Sequence, residues 1–270
     1  MIKRITSVFI LAAFLAGCTK NALNNKTQLT LLPESELQSM ATTEYQQFLS
    51  ANKVVQVSNN RDAEMVRRVG QRITRAVEEH YASLGKSDAL KGFNWEYNLV
   101  DDKAVNAWCM PGGKIVVYTG LLPITQNEAA LAAVMGHEVS HALLQHGNKR
   151  MSQGILQQLG GVALSVAVAN KPAQTQNIFL GAYGAGTQLG VLLPFSRSNE
   201  LEADQYGLIF TARAGYNPQE AIGLWERMEN ASNGQKPPEF LSTHPSEGRR
   251  IEELKKFMPE ALRYYKPMGK

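Results

Sequence analysis

Five residues, His137-Glu138-Val139-Ser140-His141, lie inside an apolar stretch that runs from Ala129 through Leu144. Its length and composition predict a helix, opened by a Thr125/Glu128 capping box and stopped near Gly147. On a helix, a spacing of four puts both imidazoles on one face, one turn apart, so that they can share a metal ion. Glu138 then reaches a water on that ion rather than the ion itself. Zinc suits such a set, because it takes imidazole nitrogen and carboxylate oxygen in tetrahedral geometry and needs no redox chemistry. The constraint on the fold is direct: a second segment must press against this helix and deliver at least one more ligand.

That ligand does not follow closely. Only Gln145 and His146 come after Leu144. On a continuous helix His146 would fall on the side opposite His137, so it is expected outside the site. The stronger candidate segment is Glu200-Leu201-Glu202-Ala203-Asp204. Helical spacing places Glu200 with Ala203, Asp204 and Gly207, small residues that permit close helix approach. Glu202 falls with Gln205, Ile209 and Arg213, a solvent-like set. Glu200 is therefore the expected third ligand. Asp204, one turn on, is placed to accept a hydrogen bond from a ligating histidine.

The remaining pattern predicts an α+β chain, mainly helical, with a small sheet near the metal-binding helix. A helix is expected over Ser35–Leu49, and a stronger one where Met65, Val66, Val69, Ile73, Ala76 and Val77 recur at helical spacing. Phe93, Trp95, Tyr97 and Leu99 alternate with polar residues, as in a half-buried strand. Pro111-Gly112-Gly113 marks a turn before the β-branched run Ile115-Val116-Val117. Further helices are expected from Asn199 to Ala214, from Asn217-Pro218 to Asn230, and from a Ser246 cap to Phe257, with a loop over 232–238. The Gly- and Ala-rich segment 154–195 holds apolar runs at 162–169 and 178–193. It is expected to form two close-packed helices beside the site, with a membrane-inserting pair as the weaker reading.

At the N-terminus, Lys3 and Arg4 precede the apolar run Val8–Ala16, which is too short to span a bilayer as a permanent helix. Leu15-Ala16-Gly17-Cys18 resembles the lipobox of bacterial lipoproteins, which implies a signal peptide over 1–17 and acylation, such as palmitate, on Cys18. Residues 18–33, polar and rich in Asn, Thr and Lys, read as a tether, and 34–270 as the functional domain. Thr19 in place of Asp, by resemblance to sorting rules, favours the outer membrane. Removing the leader lowers the net charge from +4 to +2, which gives no case for nucleic-acid binding. Cys109 is expected as a small buried residue; with Cys18 acylated, no internal disulfide is available.

Together, His137–His141 in H-E-x-x-H, Glu200–Asp204 in E-x-x-A-D, Asn106-Ala107-Trp108 with Pro-Gly-Gly, Gly120-Leu121-Leu122 and Thr243-His244-Pro245 resemble the gluzincin metallopeptidases. That family includes the HtpX-type, CAAX prenyl protease and Oma-type members, and the resemblance covers about residues 35–257. It implies a zincin-like fold and a zinc endopeptidase with Glu138 as general base. His244, held extended before Pro245, is implied to lie near the metal, either steadying the oxyanion or acting as a fourth, blocking ligand. Arg249 and Arg250 are open between a carbonyl or carboxylate contact near the site and an exposed salt bridge. The implied substrates are unfolded or misassembled envelope proteins. The alternative is an outer-membrane assembly or quality-control factor whose peptidase is latent.

Overall fold

The computed structural model describes residues 18–159, 172–183, 195–231, 238–245 and 249–267. Its first segment departs from the tether that its composition predicts. β1 (Cys18–Lys20) and β2 (Thr27–Leu29) form an antiparallel ladder. Leu23 and Leu32 are buried, and Asn21 Nδ2 donates to the Leu143 carbonyl at 2.9 Å. Two apolar anchors and these hydrogen bonds offset the entropy that a free polar segment would keep.

α1 (Glu34–Ala51) buries Leu37, Ala41 and Tyr45. α2 (Arg61–Ser83) begins at Asn60, whose side chain accepts from the amides of Asp62 and Ala63. Val66, Val69, Ile73 and Val77 form its fully buried stripe. A three-stranded sheet follows: β3 (Glu96–Val100), β4 (Ala107–Met110) and β5 (Lys114–Tyr118), in the order β3-β5-β4. β3 runs parallel to β5, and β4 antiparallel to it. The β4–β5 turn needs Gly113, which has φ +83° and on which a Cβ would meet the Trp95 ring at 2.3 Å.

Both sheet faces are covered, which is why β4 and β5 are buried throughout rather than alternating. Leu99, Ala107, Cys109, Ile115 and Val117 face the main core with α2. Val100, Trp108, Met110, Val116 and Tyr118 face a second core built on α1.

A short helix, α3 (Leu122–Thr125), precedes α4 (Glu128–Leu143), which carries His137 and His141. The expected Thr125 cap is not used. Gln126, at φ +65°, ends α3 and turns the chain, so Asn127 caps α4 by accepting from Ala130 N at 2.8 Å. The expected stop at Gly147 also moves. Gln145, at φ +55°, breaks the helix, and α5 (His146–Leu159) starts at once. Gly147 lies inside α5, where a Cβ would strike the Tyr183 ring.

The chain continues as α6 (Pro172–Tyr183), α7 (Arg197–Arg213), α8 (Glu220–Asn230), α9 (Glu239–Thr243) and α10 (Arg250–Leu262). The apolar run 162–169, most of 178–193, the loop over 232–237 and Ser246 lie outside the described residues. Among the described residues, no helix is long and apolar enough to cross a membrane.

Candidate metal centre

α4 and α7 cross with almost nothing between them. A Cβ on Gly207 would sit 2.9 Å from His137 N, and one on Gly136 would sit 2.9 Å from the Gly207 carbonyl oxygen. This approach, available only to glycine, brings Glu200, two turns before Gly207, level with His137 and His141. The end of α9 supplies His244. All four of these side chains are buried.

Their ligand atoms converge on one point. His141 Nε2 lies 3.0 Å from His137 Nε2, and His244 Nδ1 lies 3.3 Å from the same nitrogen. Glu200 Oε1 is 3.1 Å from His244 Nδ1 and 3.3 Å from His141 Nε2. Zinc bonds of about 2.0–2.1 Å to nitrogen imply tetrahedral edges of about 3.3–3.4 Å. The observed separations lie at those edges or up to about 0.4 Å inside them. Three imidazole nitrogens facing one another at such distances also repel unless a cation sits between their lone pairs. The donor set therefore fits zinc, with His244 at the fourth corner.

His137 and Glu200 are held from behind. Asp204 Oδ1 lies 2.9 Å from His137 Nδ1. Arg250 donates to Asp204 through Nε at 2.8 Å and Nη2 at 2.7 Å. Arginine cannot accept, so the ring proton on His137 Nδ1 goes to Asp204, and a bound metal would find Nε2 bare toward the shared point. Arg250 also places Nη1 3.1 Å from Glu200 Oε2 and stacks its guanidinium 3.4 Å from the Trp225 ring centroid.

The electrostatics follow from this packing in the metal-free protein. Burial opposes charge on His137, but Asp204 and Glu200 carry it up to about 9. Burial would raise Glu200, yet the neighbouring His244 and His141 hold it well below the usual carboxylate range. Burial pushes Glu138 up, and its Oε1 finds no hydrogen bond while lying 3.6 Å from His244 Nε2. A carboxylate so placed is available to accept a proton from a water beside the shared point.

Two residues depart from the sequence expectation, and a third settles between two open readings. His146 is not turned away: the break at Gln145 swings it back, with Nδ1 3.1 Å from His141 Nδ1. Glu202 is not a solvent residue. It lies 3.3 Å from His146 Nε2 and pairs with Lys26; chiefly the His146 contact holds its carboxyl down at about 2. Arg250 is a buried cation, whereas Arg249 is exposed. Its position was readable: Arg250, Leu254, Met258 and Ala261 form the buried face of α10.

Phe195 and Arg150 were not foreseen. The Phe195 ring centroid lies 4.1 Å from that of His141 and 5.2 Å from that of His244, with the Arg150 guanidinium 3.7 Å from it. These side chains, Tyr183 and the strand residues Ala107–Cys109 close the space beside Glu138 to a cavity of about 30 Å³.

Comparison with known proteins agrees with this centre. Residues 67–258 match Peptidase family M48. The chain belongs to peptidase family M48. Members of that family are zinc metallopeptidases, and zinc is the metal this donor set takes. The chain is 36% identical over 183 residues to the mitochondrial metalloendopeptidase OMA1 of Saccharomyces cerevisiae, covering 65% of this chain and 50% of that protein. It is 29% identical over 250 residues to the human mitochondrial metalloendopeptidase OMA1, covering 89% and 46%. The beta-barrel assembly-enhancing protease of Escherichia coli is 31% identical over 156 residues, covering 56% and 32%. The chain thus spans about half the length of the OMA1 proteins and about a third of the bacterial one. Both His137–His141 and Glu200–Asp204, with His244 and Arg250, fall inside the family match.

Proposed function

We propose that this M48 chain is a zinc endopeptidase of the bacterial envelope, described here in a closed, latent state. The observation that carries the reading is the convergence of His137, His141 and Glu200 at close to tetrahedral spacing, with a Glu138 oxygen beside them that has no hydrogen bond among the described residues. When bound, zinc lowers the pKa of a water and polarises a carbonyl. Glu138 accepts the proton of the attacking water at Oε1 and passes it to the leaving amine nitrogen. β4 pairs only with β5 among the described residues, so its other edge has no strand partner and, once the covering side chains move, would take an extended substrate backbone. His137 keeps its orientation through Asp204 and Arg250.

A peptide does not fit the closed cavity, which is far below the about 300–1,000 Å³ of a working ligand site. Catalysis therefore requires Phe195 and His244 to move. Of the two roles open to His244, the fourth-ligand role is favoured, since its Nδ1 lies 3.3 Å from His137 Nε2 and 3.1 Å from Glu200 Oε1, where it would complete the set around a bound zinc. That latency, together with similarity to a beta-barrel assembly-enhancing protease, supports the second reading: an outer-membrane assembly or quality-control factor that cleaves only when opened. Unfolded or misassembled envelope proteins are the proposed substrates in both cases. The envelope location rests on Leu15-Ala16-Gly17-Cys18 and a lipid on Cys18, with residues 1–17 outside the described set.

The test is cleavage of casein by the purified protein. Loss with a chelator, recovery with zinc and loss in Glu138→Gln are expected. Cleavage by Glu138→Gln at the wild-type rate would remove the proposed base.

A further inference from the structure

His137 has its orienting carboxylate in Asp204, but the described residues place no carboxylate on the outer nitrogen of His141. It has His146. Since His141 Nε2 faces the other ligand atoms, the ring proton of a zinc-binding His141 sits on Nδ1 and points at His146 Nδ1, 3.1 Å away. That nitrogen of His146 must then be bare, and its proton sits on Nε2, aimed at Glu202 Oε2 at 3.3 Å. Each tautomer dictates the next. The other oxygen of Glu202 takes the Lys26 ammonium and lies 3.4 Å from Asn24 Nδ2.

The turn that presents His146 is clasped by the same N-terminal segment. Asn21 Nδ2 donates to the Leu143 carbonyl at 2.9 Å, and Gln28 Nε2 to Gln145 Oε1 at 2.9 Å. Asn148 Nδ2 donates back to the Leu32 carbonyl at 3.0 Å. Gln145, left-handed without being glycine, needs such support. Residues 18–32 lie outside the stretch that matches the family.

We propose that His146 and Glu202 form a hydrogen-bonded relay that fixes the His141 ligand, and that the docked segment 18–32 holds the relay in register. Zinc retention is thereby tied to N-terminal docking. The inference rests on the zinc-site reading above. His146 acts through His141, so it is a positioning residue and not a catalytic one.

The test is zinc affinity, measured by titrating chelator-stripped protein against a chromogenic chelator, with the cobalt-substituted absorption spectrum as a second readout. His146→Ala is expected to weaken zinc binding about 10–100-fold. Glu202→Gln and Lys26→Met should weaken it by successively smaller factors, and His146→Gln, which keeps an acceptor for the His141 proton, should recover part of the loss. Because the relay is serial, His146→Ala with Glu202→Gln should bind no more weakly than His146→Ala alone. Losses that multiply in the double variant would overturn the relay. So would wild-type affinity and an unaltered cobalt spectrum in both single variants. If His146→Ala does not fold, Glu202→Gln and Lys26→Met decide alone, and wild-type affinity in both rejects the proposal. Failure of the wild-type protein to bind zinc would reject the metal site itself. Binding that is lost in Glu200→Gln but untouched by the relay variants rejects only the relay.

Discussion

Substituting Gly207 by alanine tests whether the helix crossing sets the metal site. The added methyl would lie 2.9 Å from His137 N and 3.0 Å from His137 Cα, where ordinary contact begins near 3.4 Å. Both obstacles are backbone, so no side chain can rotate away, and α7 must retreat by about 0.5 Å. Overpacking of this kind costs about 1–3 kcal/mol, or about 2–10 °C in the melting temperature of the metal-free protein. Glu200 rides on the same face of α7, and a metal bond tolerates only about ±0.2 Å. Zinc affinity should therefore fall on the order of 10-fold, which chelator competition measures, and casein cleavage should fall with it. Gly154→Ala is the control, since among the described residues its Cβ would meet only Ile178 Cγ2 at 3.6 Å; stability there should hold or rise, with zinc affinity unchanged. A Gly207→Ala protein that melts lower but binds zinc as tightly as wild type would refute the link between the glycine contact and ligand spacing.

Glu138→Gln should retain zinc by elemental analysis while losing about 10²–10⁴-fold in cleavage rate; loss of the metal instead would move Glu138 into the ligand set. His244→Ala frees the fourth corner and should raise casein cleavage severalfold, whereas a fall would restore the oxyanion role. Arg250→Leu strands the carboxylates of Asp204 and Glu200 without their cation. It should cost about 3–5 kcal/mol in the metal-free protein, and a melting temperature within a degree of wild type would contradict it. Burial against Phe210 and the nearby Arg213 carry His80 down to about 4, below its unfolded value near 6.5. The unfolded chain therefore takes up the proton first, and stability is lost as pH falls from about 6.5 to 4. Relative to His80→Phe, wild type should lose on the order of 2 kcal/mol over that range in urea denaturation; a constant gap would rule this out.

The core of the site was legible because its signals are local. A spacing of four placed His137 and His141 on one face, and the run of small residues after Glu200 told that carboxylate from Glu202. The α2 stripe and the β4–β5 turn were equally plain, since each rests on a repeating pattern or on a glycine that only one backbone shape requires. His146 escapes helical spacing because Gln145, at φ +55°, breaks the helix before it, and a left-handed glutamine leaves no composition signal. The same limit hid the Asn127 cap behind a better-looking Thr125. Residues 18–33 read as a tether because polarity was averaged over the segment, while Leu23 and Leu32, its two anchors, were too far apart to register as a pattern. Phe195 lies against the His141 and His244 rings through tertiary contact alone, and nothing adjacent in the chain announces it.

Docking of the first strand has a consequence for reach. An unstructured leash of some fifteen residues would extend ~50 Å, enough for a tethered body to tumble and sample the space around it. Here that length is spent in a ladder laid along the protein's flank, starting at the exposed Cys18. Were Cys18 acylated as proposed, the bilayer would lie directly beside the β1–β2 hairpin. The cleft would then keep one heading relative to the lipid surface, and its clients would be chains emerging at that surface rather than those drifting free.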